Sequence, residues 1–318
     1  MARSHVFGAV DMGSNTLKVR LWQIDAFGHA VAIDQRRLPV RLGKGTFQEG
    51  ILSQSLINDA VEALREIRAL ADHHGASTLR AVATAAMREA QNAGALVARA
   101  QRETGIEVEI ISAEREGELT AKGALSSLTL ARDERAAIVD IGGGSAEVVS
   151  VISDGEGRFH SMTALSLPLG AVRLTEAFLP SDPPGPGELK SLAKHVTKTL
   201  MASPLTPPDG VAVGCGGTLV SMARIAALFE RVDSQAYDEE LPPLRQRILR
   251  SLLGEMSALS AARRAARFHL EPQRAEVIVA GATVLDALLE VLHTDVIRVV
   301  PSGLREGLLV EHLASLAR

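Results

Sequence analysis

The chain has 318 residues, 46% of them hydrophobic, enough to bury the cores of two domains of roughly 100–200 residues each. No apolar run approaches the roughly 18 residues of a membrane span, the N-terminus lacks a basic stretch ahead of an apolar block, and a lone cysteine, Cys215, excludes an intramolecular disulfide framework. With 34 basic against 38 acidic residues there is no general basic field for nucleic acid, so a cytoplasmic protein with neither nucleic-acid nor membrane partners is expected.

The first element is an apolar strand, Val6-Phe7-Gly8-Ala9-Val10, which runs into the polar turn Asp11-Met12-Gly13-Ser14-Asn15-Thr16 and an alternating strand, Leu17-Lys18-Val19-Arg20-Leu21-Trp22. That is the pattern of a β-hairpin. Over residues 53–74 the apolar positions Leu56, Ile57, Ala60, Val61, Leu64, Ile67 and Leu70 share one helical face, and Gly75 supplies the stop. Short strands are predicted at 79–83 and 108–111, with helices at 93–103 and 114–126. The opening pattern then returns: Ala136-Ala137-Ile138-Val139-Asp140-Ile141-Gly142-Gly143-Gly144-Ser145 leads into Ala146-Glu147-Val148, so Asp-x-Gly recurs 129 residues after Asp11. A strand at 161–167, a Pro- and Gly-rich surface loop at 180–187, a strand at 211–213, a helix at 273–292, a strand at 296–300 and a helix at 304–317 complete the alternation of an α/β chain. The duplicated opening predicts two similar lobes facing each other across a cleft.

Three glycine turns suit phosphate. In the first, Gly13 allows a tight turn while Ser14, Asn15 and Thr16 offer side-chain and backbone donors; Gly142, Gly143, Gly144 and Ser145 offer the same in the second. The third, Gly214-Cys215-Gly216-Gly217-Thr218, follows a strand and opens a helical stretch, where N–H groups bind anions. One such turn alone is as readily a structural hairpin; three in one chain point to a phosphate site. Neither a Gly-x-x-x-x-Gly-Lys-Ser/Thr loop nor a Gly-x-Gly-x-x-Gly between strand and helix is present. Asp72-His73-His74 is read as a helix end, where histidine complements the dipole, and the remaining histidines show no ligand spacing.

At these residues the chain resembles the exopolyphosphatase and guanosine pentaphosphate phosphatase (Ppx/GppA) family, within the sugar kinase, Hsp70 and actin superfamily. The match runs in order through Asp11 to Thr16, Arg41-Leu42-Gly43-Lys44-Gly45, Ala83-Thr84-Ala85-Ala86-Met87-Arg88-Glu89, Ile111-Ser112-Ala113-Glu114-Arg115-Glu116-Gly117-Glu118 and Asp140 to Glu147. It continues through Pro168-Leu169-Gly170-Ala171-Val172-Arg173-Leu174, Gly216-Gly217-Thr218 and Ser302-Gly303-Leu304-Arg305-Glu306-Gly307. The resemblance implies two duplicated actin-like (RNase H-like) α/β domains, residues 1–127 joined by a C-terminal helix from about 303 to 318, and residues 128–302, with a cleft between them.

It also implies an exopolyphosphatase using Mg²⁺ or another divalent cation. Glu116 is then the carboxylate that activates water, and the helix start would hold it as the anion; a plain helix-start acid is its other reading. Asp140, Glu147 and Asp11 become the metal-site carboxylates, against turn capping, and Arg88 the arginine on the reacting phosphate, against a surface salt bridge. Lys18 stands where the family commonly has arginine, keeping the charge and losing the bidentate fork. Arg36, Arg37, Arg41 and Lys44 extend a basic track or form a solvated edge. Many relatives continue into a further helical region that helps bind long polyphosphate, so a short, less processive form is expected, with a homodimer implied by relatives. The alternatives are removal of the 5′ γ-phosphate of guanosine pentaphosphate, with Gly216, Gly217 and Thr218 at the nucleotide, phosphate transfer to a metabolite, and a nucleotide- or alarmone-binding regulator.

Overall fold

The computed structural model describes residues 4–156, 158–206, 210–230 and 241–316. Strand β1 (His5–Met12) is apolar on both faces, as a strand with neighbours on both edges and layers above and below must be. It pairs antiparallel with β2 (Leu17–Ile24), which pairs in turn with β3 (Ala30–Leu38). After α1 (Thr46–Glu49) comes α2 (Gln54–His73), whose N-terminus is capped by Ser53 accepting from the Leu56 N–H at 3.2 Å, and whose buried stripe includes Ile57, Val61, Leu64 and Ile67. The chain returns as β4 (Ala76–Ala83), parallel to β1, then α3 (Ala85–Glu89), α4 (Ala93–Thr104), β5 (Val108–Ile110) and α5 (Ala113–Leu125). The sheet order is β3-β2-β1-β4-β5.

The second lobe opens with the meander β6 (Arg135–Ile141), β7 (Ala146–Ser153) and β8 (Phe159–Leu167). Helices α6 (Ala171–Phe178) and α7 (Pro186–Ala202) lead to β9 (Val211–Cys215), parallel to β6. Then follow α8 (Gly216–Phe229), β10 (Leu241–Arg245), α9 (Gln246–Ser257), α10 (Ala261–Phe268), α11 (Pro272–Val291), β11 (Val296–Val299) and α12 (Leu304–Leu316). The order β10-β11-β9-β6-β7-β8, read from its far end, repeats the five strands of the first sheet and adds β10 at the edge, so the sequence repeat is a duplicated topology. Helix α11 is apolar nearly all round and accordingly runs through the second lobe's core.

One helix belongs to both lobes. Leu119 of α5 joins Phe7 and Trp22 beneath the first sheet, while a Cβ on Gly117 would touch Ala164 and Val149 of the second at 3.0 and 3.2 Å. Against α12 the approach is backbone to backbone: a Cβ on Gly123 would fall 1.8 Å from the Gly303 carbonyl oxygen, and one on Gly307 1.9 Å from that of Leu119. Only glycine permits this crossing.

The structure departs from the sequence reading in places. The loop expected over 180–187 ends at Gly185, because Pro186 opens α7, where a missing N–H costs nothing, and the Glu188 carboxylate accepts from the Gly185 N–H. Strand β3 was not anticipated; as an exposed edge it shows no alternation, with Val31, Ala32, Gln35, Arg36 and Arg37 all in solvent. Ala317, placed in the final helix, and residues 317–318 of the first domain lie outside the described residues. Among the described residues no helix is long and apolar enough to cross a membrane.

Candidate active site

The two hairpins turn their tips toward each other. A Cβ on Gly143 would lie 2.9 Å from the Ser14 Cβ and 3.2 Å from the Asn15 nitrogen, so the tips meet and glycine is what lets them. Between them lies a chamber of about 60 Å³ whose walls carry Asp11, Ser14, Asn15, Thr16 and Lys18 from the first tip and Asp140, Gly142, Gly143, Gly144 and Ser145 from the second. Glu116 and Gly217 also reach it. Sequence positions more than a hundred residues apart thus converge on one anion-sized space. Buried Asn15 Oδ1 has no hydrogen-bond partner in the protein, leaving a polar end at the wall that a half-turn of the amide converts to a donor.

Glu116 stands in the first turn of α5, whose N-cap Ser112 accepts from the Arg115 N–H at 3.1 Å. Arg88, at the end of α3, donates through Nη1 to Glu116 Oε2 at 2.6 Å and to the Ile111 carbonyl at 3.1 Å. The expectation that the helix start holds Glu116 as a ready anion is corrected. Its pKa is pushed well up by burial and by the Glu147 charge, against the pull of Arg88 and with a further push from Asp11. The structure thus sets Arg88, expected on the phosphate, against the Glu116 carboxylate through Nη1.

The β6–β7 ladder sets Asp140 opposite Glu147, and the β1–β2 ladder sets Asp11 opposite Lys18, whose Nζ lies 3.1 Å from Asp11 Oδ2. Burial, then the Glu147 charge, raise Asp140 to about 7, with Lys18 and Arg274 pulling the other way. Glu147 is not among the residues lining the chamber: it is buried beside Asp140 on the neighbouring strand, accepts the Ser166 hydroxyl at 2.9 Å, and is itself raised by burial. Among the described residues no three metal-ligating side chains are gathered into a cage. Crowded carboxylates short of counter-charge nevertheless fit a hard cation of the Mg²⁺ type, which takes one or two carboxylates and completes its shell with phosphate oxygens and water.

Gly216 adopts a φ of +77° directly against Asp140, where a Cβ would sit 1.9 Å from Oδ1. Thr218, expected among the phosphate ligands, is fully buried beneath that turn, its hydroxyl donating to the Ile141 carbonyl at 2.9 Å and accepting from Arg274 Nη1 at 3.2 Å. Its place at the wall is taken by Arg274 itself, in the first turn of α11, lowered by burial to about 10 and so still charged at neutral pH. The sequence reading missed Arg274; its only signal is a cation just after Pro272 at a helix start. Beyond it an outer chamber of about 240 Å³, lined by Thr16, Lys18, Arg37, Gly217, Arg224 and Arg274, adjoins the first.

The other basic candidates scatter. Arg36 pairs with Asp34, Arg41 with Glu276 of the second lobe, and Lys44 lines a separate groove that includes Glu49 and Glu176. Only Arg37 reaches the cleft mouth. His74 pairs with Asp34 at 3.0 Å, as a helix-end histidine, and Cys215 is buried with its thiol pushed well up by burial.

A model of the Ppx/GppA phosphatase family matches residues 24–316. Exopolyphosphatase 1 of Mycobacterium tuberculosis is 31% identical over 313 residues, covering 97% of this chain and 88% of that protein. Among solved structures, the Ppx/GppA family member of Aquifex aeolicus superposes with a TM-score of 0.76 at 30% identity, covering 99% of both chains. The fold is also that of an exopolyphosphatase from Cytophaga hutchinsonii, with a TM-score of 0.86, 24% identity and 98% of both chains covered.

Proposed function

The chain belongs to the Ppx/GppA phosphatase family, and from that premise we propose that it is a phosphoanhydride hydrolase releasing the terminal phosphate of inorganic polyphosphate. The observation that carries this is the Arg88–Glu116 pair set at a small chamber walled by two glycine tips, with a cationic outer chamber leading away from it. The inner space has room for on the order of four waters by volume, so one phosphoryl group enters it while the rest of the chain extends outward. Cleavage from an end follows from that shape.

In this reading the loop amides, Ser14, Thr16, Ser145 and Lys18 hold the phosphoryl oxygens. Glu116 accepts the proton of the attacking water, its basicity strengthened by burial and by the neighbouring Glu147 charge. Arg88 holds that carboxylate in place and presents positive charge to the phosphorus side. Asp140 and Asp11, backed by Glu147, would hold Mg²⁺ or another divalent cation, which when bound supplies counter-charge for the phosphate oxygens. No covalent intermediate is required. Glu116→Gln lowers kcat about a thousandfold, the order of a general base, while the protein still melts like wild type; near-normal turnover would remove Glu116 from this role.

A second reading, hydrolysis of guanosine pentaphosphate, is favoured by the outer chamber, which is about four times the volume of the inner one and carries Arg224 and Ser221 on its wall for the polar edges of a nucleoside. Phosphate release from long polyphosphate, short polyphosphate and guanosine pentaphosphate, each with Mg²⁺ and with EDTA, decides between them. The proposal takes the chain to divide at residues 127/128, with the segment from 303 onward returning to the first lobe, and to act as a cytoplasmic homodimer, which light scattering on the purified protein tests.

A further inference from the structure

Two sequence motifs have no chemical step in that reaction, residues 41–45 and 168–174, and the fold brings the stretches that continue them, through Phe47 and Glu176, together across the cleft. The Gly45 N–H of the first lobe donates to both carboxylate oxygens of Glu176 in α6, at 3.1 and 3.2 Å, and Arg41 pairs with Glu276 of α11. Phe47 lies on Ala171, Val172 and Val277 of the second lobe.

Arg173 joins these parts to the reaction centre. Its guanidinium carbon lies 4.0 Å from the centre of the Phe47 ring, and its Nε donates to the Gly144 carbonyl, in the second phosphate turn, at 2.8 Å. Its Nη2 pairs with Glu89 at the end of α3. Glu89 follows Arg88, and Arg88 holds Glu116. An unbroken run of contacts therefore leads from the glycine turn of one lobe to the carboxylate on the other.

We propose that Arg173 is a positioning residue for phosphoryl hydrolysis: it ties the Gly144 turn of the second lobe to the α3 helix of the first, setting the cradle and the Arg88–Glu116 pair in register. The inference rests on the functional reading above. The Glu89 side chain is 47% exposed, so its ion pair adds little to stability. Alignment is another matter, because a misplacement of about 1 Å at a reacting centre costs on the order of a hundredfold in rate. The tie accordingly shows in kcat and hardly in melting.

The test compares wild type with Glu89→Gln, Arg173→Gln and Arg173→Lys on short polyphosphate with Mg²⁺. Glu89→Gln takes only the charge out of the Glu89 arm, leaving the Phe47 contact in place, and lowers kcat about tenfold with KM within threefold; Arg173→Gln lowers it further; Arg173→Lys recovers part of the loss. The double variant Glu89→Gln, Arg173→Gln is no slower than Arg173→Gln alone. Hydrogen exchange reads the same tie without turnover: Glu89→Gln on the first lobe speeds exchange in the 142–145 turn on the second. Unchanged kcat in Glu89→Gln, additive losses in the double variant, or exchange at 142–145 that ignores residue 89 overturns the proposal. A wild-type protein that releases no phosphate would defeat the functional reading alone, and the exchange comparison would still decide the tie.

Discussion

The two hairpins are copies of one frame with opposite electrical characters. Lys18 and Glu147 are the same position in the duplicated units, each 129 residues from its counterpart and each opposite an aspartate in its ladder. The first tip neutralises itself, with Lys18 at 3.1 Å from Asp11. The second sets acid against acid in a buried place and leaves Asp140 raised to about 7. On the shared geometry the residue opposite the aspartate differs: the first tip brings its own cation beside Asp11, and the second leaves Asp140 beside another acid, the place most in need of a cation from outside.

Converting one tip into the other breaks this comparison most severely. Glu147→Lys gives the second hairpin the charge pattern of the first, and phosphate release falls at least about a hundredfold and no longer rises when Mg²⁺ is titrated in. A smaller effect follows from Lys18→Gln, which exposes Asp11 without its partner and raises KM about tenfold, with Lys18→Arg restoring it. Either variant responding like wild type would show that the tips are equivalent.

Stability sharpens the comparison further. Asp140 has a folded pKa above its unfolded value of about 3.9, so the folded form keeps a proton that the unfolded chain has lost. Stability in EDTA therefore falls as pH rises from about 4 to about 7, and Asp140→Asn removes that loss, melting several degrees above wild type at pH 8 and level with it near pH 4. Thermal melts across pH, with and without Mg²⁺, check both. The smallest effect lies outside the tips. Burial alone would raise Glu311, yet hydrogen bonds from Arg115 and Lys122 hold it at about 2. Its contribution is therefore present above the usual glutamate range and is lost as pH falls through about 2. Glu311→Gln costs about 1 kcal/mol at pH 7, read by denaturant titration, with turnover within twofold of wild type.

The tips were legible in the sequence because their signal is local: Asp-x-Gly after an apolar strand, occurring twice. Long helices such as α2 were equally plain, since a 20-residue stripe outweighs any single residue. What the sequence did not carry was which side chain ends up behind which. Thr218 sits one residue past a wall glycine and is buried under it, while Arg274, 56 residues on, reaches the wall over its hydroxyl. Glu116 was legible as a site but not as an acid with a raised pKa, because the desolvation and the Glu147 charge that raise it exist only once both sheets have packed on α5. Arg41, open in the sequence between a phosphate track and a solvated edge, pairs with Glu276 across the lobes, a partner that likewise exists only in the fold.

The crossing of α5 and α12 at Gly123 and Gly307 has a mechanical consequence. With main chain against main chain there is no side-chain layer between the two helices to absorb a larger residue, so a methyl group at either position must push them apart. Glu116 rides on the helix so clamped, four residues before Thr120 in its tightly enclosed middle, and is therefore anchored by backbone packing rather than by a loop.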